Sequence, residues 1–430
     1  MAAAIAKSHR IHDNARPLNA LFIRRRPGCS AVTKLTHSEP ARFDTPIEHG
    51  SRILWRKESG IMKRILMTVL MVGGAGLFEV LPAQVTTTAV PFLMISPNSR
   101  AGGMGDAGVA VGDDAWASFW NPAGYAFQVG SEVGLDYSAW QPSLNLGDVW
   151  IIHSVYKQSV KELDGTVSAA FTYLNQGEIA HTENDATVLE TFKSYDLAFA
   201  VGYARKLSDV IGIGMNVRFI RSVLAPFGPG GTGNGAATGF SFDIGMLYKP
   251  KTLFIPFIPR NFGERLRLGV NLSNMGPKMA YVDKALADPL PMNLRLGFAF
   301  RSLTTREHNI TFVADFNKIL VKRRKTGSDE FLAAMFTTWS GKTIGEQIRS
   351  FVTGMGIEYW YGSPGLLALR AGYYYEDPRN GNRKYFTFGA GVRVDSYGAD
   401  FNYIAASEKD HPLGGTVRFS LLTSWGSSGE

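Results

Sequence analysis

Residues 100–124 read RAGGMGDAGVAVGDDAWASFWNPAG, and within them Gly103-Met104-Gly105-Asp106-Ala107-Gly108 is a formal G-x-G-x-x-G match. Glycines at that spacing allow a turn to approach a pyrophosphate at the N-terminus of the next helix. The chemistry also needs a buried strand before the turn, a crossover helix after it, and an acid about twenty residues on. Here PFLMISPNSR precedes the turn with two prolines. Gly112-Asp113-Asp114 and Asn121-Pro122 follow before a helix and second strand have room to form. The match is therefore accidental, and the glycines serve another need.

Other chemistry is sparse. The stretch FGPGGTGNGAATG (227–239) has the glycines of a phosphate cradle but lacks the Lys-Ser/Thr that completes one, so it reads as an external loop. Beyond residue 83 the histidines are His153, His181, His308 and His411, none in a G-x-S-x-G or H-E-x-x-H setting. The single cysteine, Cys29, lies in the leading segment. No catalytic residue, metal site or cofactor is expected, and the protein is not expected to be an enzyme.

Net charge is +8, but residues 1–61 alone hold 11 Lys/Arg against 5 Asp/Glu. The chain beyond residue 83 is nearly neutral, which removes the case for nucleic acid as a partner. From Met62 the text MKRILMTVLMVGGAGLFEVLPAQ has a basic start, an apolar run and a small-residue exit. It reads as a secretory signal over 62–83, cleaved after Ala83. Residues 1–61 show no periodicity and read as an unfolded extension from a start placed too far upstream.

The elements that must position anything functional are strands. Leu266, Leu268, Val270 and Leu272 alternate with Arg265, Arg267, Asn271 and Ser273. The same period of two recurs near 132–138, 149–156, 166–174, 193–205, 210–221, 239–248, 290–301, 308–318, 351–361, 366–376, 385–395, 398–405 and the final strand. Most runs are eight to twelve residues long, as a tilted bilayer-crossing strand requires. Polar residues on the opposite face suit a wet lumen. Tight turns at 207–209, 362–364 and 395–397 alternate with long connections at 175–191, 222–238, 274–289 and 319–350, while 249–263 is long where a turn is expected. We expect an all-β fold: a 14-stranded antiparallel transmembrane β-barrel over 131–430, with an N-terminal hatch over 84–130 in its lumen. Trp116, Phe119 and Trp120 would wedge against the wall and Asn121-Pro122 would make a turn.

At this point the chain resembles a family. SRAGGMGDAGVAVGDDAWASFWNPAG looks like the hatch signature of FadL-like outer-membrane proteins, with Asn121-Pro122-Ala123 as its Asn-Pro-Ala tripeptide. With LSNMGPKMAY, PMNLRLGFAF, ADFNKILV and HPLGGTVRFSL, it resembles the PorV/PorQ family of the type IX secretion system. One departure is the tail TSWGSSGE, which continues past Trp425. The resemblance implies a cell outer-membrane location, periplasmic termini and external long loops. It also implies shuttling of cargo bearing a C-terminal signal domain from the translocon barrel to the attachment complex. The hatch-motif residues would be Arg100, Gly102, Gly103, Gly105, Asp106, Gly108, Asn121, Pro122 and Ala123. The alternative is a FadL-like passive transporter of hydrophobic small molecules.

Two further expectations concern charge and docking. Inward Arg218, Arg265, Arg267, Arg295, Arg370, Arg393 and Arg418 nearly balance Asp136, Asp196, Asp243, Asp315, Glu358 and Asp400. They suggest an ionic mesh holding the hatch. In loop 319–350, Ser328 would cap a helix presenting Phe331, Ala334, Met335 and Trp339 on one face before Gly341. That face is a candidate for docking a partner or outer-membrane lipid, or simply packs on the barrel. The basic run Lys322, Arg323, Arg324 and Lys325 stands beside it, as a solvated charge run or a site for lipid phosphate or acidic cargo.

Overall fold

In this computed structural model the described residues are 88–144, 148–182, 188–225, 235–254, 261–324, 327–363, 365–408 and 411–426. The chain divides into Met1–Phe78, which lies outside them, and Glu79–Glu430. The leader, the signal and cleavage expectations, the tip of the glycine loop and Lys325 all fall outside the described residues.

Fourteen antiparallel strands close into a barrel. They are β1 (Ser131–Ala139), β2 (Trp150–Val160), β3 (Gly165–Thr182), β4 (Val188–Lys206), β5 (Ile211–Ala225), β6 (Gly235–Tyr248) and β7 (Leu266–Met275), then β8 (Asn293–Thr304), β9 (His308–Ile319), β10 (Val352–Tyr361), β11 (Leu367–Tyr375), β12 (Lys384–Val394), β13 (Tyr397–Ala406) and β14 (Val417–Trp425). Each pairs with its sequence neighbours, and β1 meets β14 with Ser131 opposite Trp425. In hydrocarbon no water can satisfy an open N–H or C=O, so only a closed ladder is stable.

The period of two sets the faces. Val133, Leu135 and Tyr137 of β1 point out, while Asp136 and Ser138 are buried in the lumen. On β6, Phe240, Phe242, Ile244 and Met246 are exposed and Ser241 and Asp243 buried. Tyr137, Trp150, Tyr173 and Tyr195 form a continuous outer row of rings, and Tyr156 stacks on Trp425 near the other rim. Aromatic residues at both edges of an apolar band are how a barrel seats at the two membrane interfaces.

Short turns do gather on one rim and long loops on the other, with 249–265 the exception. The expected connection 175–191 needs correction. Beyond a bulge at Asn175/Glu178 the ladder continues from the pair Ile179 and Phe192 to the pair Thr182 and Val188, so most of the described part is a tall β3–β4 hairpin. Segment 222–238 likewise shrinks, because β5 reaches Ala225 and β6 starts at Gly235.

Fourteen strands enclose more volume than wall side chains fill. Residues 88–130 occupy it as a 3₁₀ turn (Pro91–Met94), helices α1 (Ser99–Gly102) and α2 (Ala117–Trp120), and a second 3₁₀ turn (Pro122–Phe127). The first described residues lie at the long-loop rim, where the Ala89 amide donates to the Pro289 carbonyl at 2.9 Å. Gly130 meets Trp425 at the opposite rim. The end that the resemblance places on the periplasmic side lies outside the described residues; Val90, Phe92 and Leu93 reach the apolar patch of Ile151, Leu174, Ile220, Met279 and Leu290. Two helices complete the long loop after β9, α3 (Phe331–Thr337) and α4 (Ile344–Arg349).

Candidate functional site: a plugged lumen and an outer-wall loop

The segment 88–130 seats on the wall through missing side chains. Gly214 pairs with Gly245, Gly269 with Gly297, and Gly356 with Gly372 across neighbouring strands. Each pair makes a notch where backbone approaches backbone. A methyl on Gly214 would stand 2.6 Å from the Ala123 nitrogen, one on Gly297 2.7 Å from the Ala110 nitrogen, and one on Gly356 2.6 Å from the Met104 Cα. The hatch glycines answer them. Gly103 lies against Gly389 on β12, and Gly105, at φ +74°, lies against the carbonyls of Met355 and Tyr373. Alternation in sequence flags such positions as inward-facing, but only the fold pairs them.

Between the notches run charged clasps. Arg100 grips Glu358 with two bonds of 2.7 and 2.8 Å and reaches Asp113 at 2.6 Å. Arg370 joins Glu358 at 2.9 Å to Asp400 at 2.8 Å, and Arg393 reaches Asp400 at 2.6 Å. Higher up, Asp106 accepts from Ser96 at 2.6 Å, Arg418 at 2.9 Å and Tyr385 at 2.9 Å. Asp315 accepts the backbone amides of Gly108 and Val109 at 2.7 and 2.9 Å. Arg267 donates to the Val111 carbonyl at 2.8 Å and to Asp113 at 2.9 Å.

Some members of the expected mesh bind only the wall. Arg218 pairs with Asp243 at 2.7 Å, Arg265 donates to the Ser302 carbonyl at 2.9 Å, and Asp196 accepts from Gln176 at 2.6 Å. Asp136 accepts from Ser420, whose oxygen also serves the Ser99 amide at 2.7 Å.

The Asn-Pro-Ala tripeptide is a bracket. Asn121, fully buried, donates to the Val109 carbonyl at 3.1 Å and to Met246 of β6 at 2.9 Å, and accepts from the Ala123 amide at 3.1 Å. Pro122 opens the turn that follows, where its missing N–H costs nothing. Trp116 packs with Val155, while Phe119 and Trp120 meet edge-on at 5.1 Å beneath the Arg295 guanidinium, 4.4 Å from the Phe119 ring. Gly102 sits where a side chain would strike Arg418.

The plug separates two spaces. On the long-loop side is a cup of about 830 Å³, lined among others by Val90, Phe92, Trp140, Leu224 and Tyr374. On the short-turn side is a charged vestibule of about 470 Å³ with Arg265, Arg301, Glu264 and Asp395. Beside Gly108 the hatch leaves a void of only about 10 Å³, near the lower limit for one water. The apolar upper wall was missed from sequence, because Ile151, Leu174 and Ile220 interrupt an otherwise polar face.

Loop 320–351 folds back onto the outside of the barrel. Phe331 stands edge-on to Phe242 at 5.9 Å, and Phe331, Ala334 and Met335 cover Leu272, Met275, Leu294 and Leu320. This turns much of the candidate docking face towards the wall. Trp339 is 40% exposed, beside the Lys318 ammonium at 4.6 Å. Ser328 does not cap α3; Glu330 occupies that place without a side-chain bond. The unforeseen α4 carries a Thr343–Glu346 capping box. The basic run is paired locally: Arg324 with Asp329 at 2.6 Å, Arg323 with Asp288 at 2.9 Å, and Lys322 with the Ser340 carbonyl at 3.0 Å.

Among the groups outside the strands, Asp329 and Lys249 carry shifted acidities. Bonds from Arg324 and then Thr337 hold the Asp329 carboxyl down to about 2. Burial, followed by nearby Arg267, lowers the Lys249 ammonium to about 8, and the amine lies 4.2 Å over the Phe127 ring.

The described histidines sit apart. His153 contacts Thr172 at 3.0 Å, His308 contacts the Tyr359 hydroxyl at 2.8 Å, and His411 accepts from the Leu413 amide at 3.1 Å.

These features define an outer-membrane β-barrel whose lumen is occupied by its own N-terminal segment. The family profile described as "Type IX secretion system protein PorV" matches residues 80–326, and the chain belongs to that family. No curated protein matches it. Among solved structures it is similar to the Pseudomonas putida toluene transporter TodX, at 15% identity and TM-score 0.45 over 81% of this chain and 99% of that one. It is also similar to the Ralstonia pickettii toluene transporter TbuX, at 12% identity and TM-score 0.43 over 77% and 97%.

Proposed function

We propose that this protein is a binding component of type IX secretion that accepts cargo by its C-terminal signal domain and passes it from the translocon barrel to the surface attachment complex. The observation that carries this reading is a lumen occupied by its own chain in a member of the PorV family. A protein cargo has no path through such a barrel, so work on cargo belongs to the rim and loops. The action is binding and hand-over rather than bond chemistry. A pull-down from detergent-solubilised outer membrane tests it. Recovery of cargo bearing the signal domain, lost when that domain is deleted, is the expected result; recovery of no such cargo sinks the proposal.

One observation favours a second reading. One side of the cup of about 830 Å³ is the apolar patch of Val90, Phe92 and Leu174, and an apolar wall with a few polar groups is a property of sites that take hydrophobic small molecules. Passive transport of such molecules predicts uptake of a hydrocarbon by vesicles containing the pure barrel, independent of any cargo.

A further inference from the structure

We infer that the outward face of α3 lies in the lipid leaflet at the long-loop rim, making this helix a built-in membrane-surface anchor for the β9–β10 loop. Phe331, Ala334 and Met335 already occupy the barrel's outer wall. The other face of the same helix carries Leu332 and Phe336, one turn apart, exposed by 62% and 76%. Water is a poor neighbour for two large apolar side chains at that spacing.

Continuity with the lipid-facing band identifies the occupant. Phe331 contacts Phe242, and Phe242 belongs to the β6 row Phe240, Phe242, Ile244, Met246 that faces hydrocarbon. Leu272 and Leu294 under the helix are likewise followed along their strands by outward Val270 and Leu296. A seven-residue helix laid on that band places its far side at the same radius as lipid, beyond the wall.

Charge agrees with the position. Residues 318–349 hold seven Lys or Arg against three acids. An exposed apolar helix surface with basic flanks is what a phosphate-bearing bilayer surface binds. Another protein would also need apolar surface there, but nothing in the basic excess or in the continuity with the band requires one.

The chain beyond residue 83 has no cysteine, so a single introduced thiol reports one place. Phe336→Cys and Leu332→Cys, each made in the protein lacking Cys29, are labelled with a fluorophore and reconstituted in phosphatidylglycerol vesicles with brominated acyl chains. Phe388→Cys on the outer band and Asp164→Cys on the opposite rim are the lipid and water controls. The expected result is quenching by bromine within about twofold of the Phe388 probe and protection from aqueous iodide. Quenching by iodide with no effect of bromine overturns the inference. So does protection from both quenchers, which would mean that a second copy covers the helix. As a second measure, Leu332→Ser/Phe336→Ser leaves the wall-facing residues intact. It should fold in detergent, yet in vesicles its loop should be cut by protease several-fold faster; an unchanged rate counts against the anchor. The assay contains no cargo, so its outcome is independent of the secretion role.

Discussion

Gly356 of β10 stands directly across from Gly372 of β11, and the backbone of Met104 and Gly105 fills the notch between them. Two absent side chains on one wall let the plug touch main chain to main chain. A methyl on Gly372 would fall onto the Gly105 nitrogen, where only backbone could yield. Gly372→Ala should therefore lower stability by about 1–3 kcal/mol, as overpacking does. Urea unfolding checks the energy. In planar bilayers the native barrel should be quiet and the variant should show open-channel events; steady open currents from the native protein would refute the sealed lumen.

The Arg100–Glu358 clasp predicts a non-additive pair. Glu358→Gln leaves two buried guanidinium groups without their shared carboxylate, a loss of about 3–5 kcal/mol. Arg100→Met with Glu358→Leu removes charge from both sides and should cost less than the sum of the single changes. A double-mutant cycle from unfolding midpoints decides it, and strict additivity would show that the clasp does not couple plug to wall.

Asn121 donates to two carbonyls, one in the plug and one in β6. Asn121→Asp keeps shape and the bond to Ala123 but loses both donors. It should destabilise the protein by about 1–3 kcal/mol, the cost of leaving buried acceptors unmet. Asn121→Ala should be no milder. Hydrogen exchange at Val109–Val111 and the unfolding midpoint report the two consequences.

Docking of the outer loop should depend on acid. Asp329 is held below its ordinary value of 3.8, at about 2, by Arg324 and Thr337. A depressed carboxylate contributes stability in full above the unfolded value and loses it as pH falls through the folded one. Between about pH 4 and pH 2 the loop should loosen, seen as a change in Trp339 fluorescence. Because solvent screens the half-exposed Arg324, the effect should be small. Asp329→Asn should remove this component of the pH dependence.

The period of two from residue 131 onward was enough to locate all fourteen strands, because in a membrane every strand must show one face to lipid and the other to the lumen. Val133, Leu135 and Tyr137 against Asp136 and Ser138 carry that information locally. The inward charges were also readable, since an Arg or Asp opposite an apolar face has nowhere else to point. Sequence alone did not disclose which charges meet. Arg100 and Glu358 are 258 positions apart, and their pairing exists only once the wall has closed and the plug has entered. The glycine notches are similar: each glycine is ordinary in its own strand, and its meaning comes from the neighbour across the ladder and the backbone laid over both. The outer loop divides in the same way. Its apolar face was written in residues 331–339, but which surface that face covers depended on the curvature and register of β6, β7 and β8, a property of the assembled barrel.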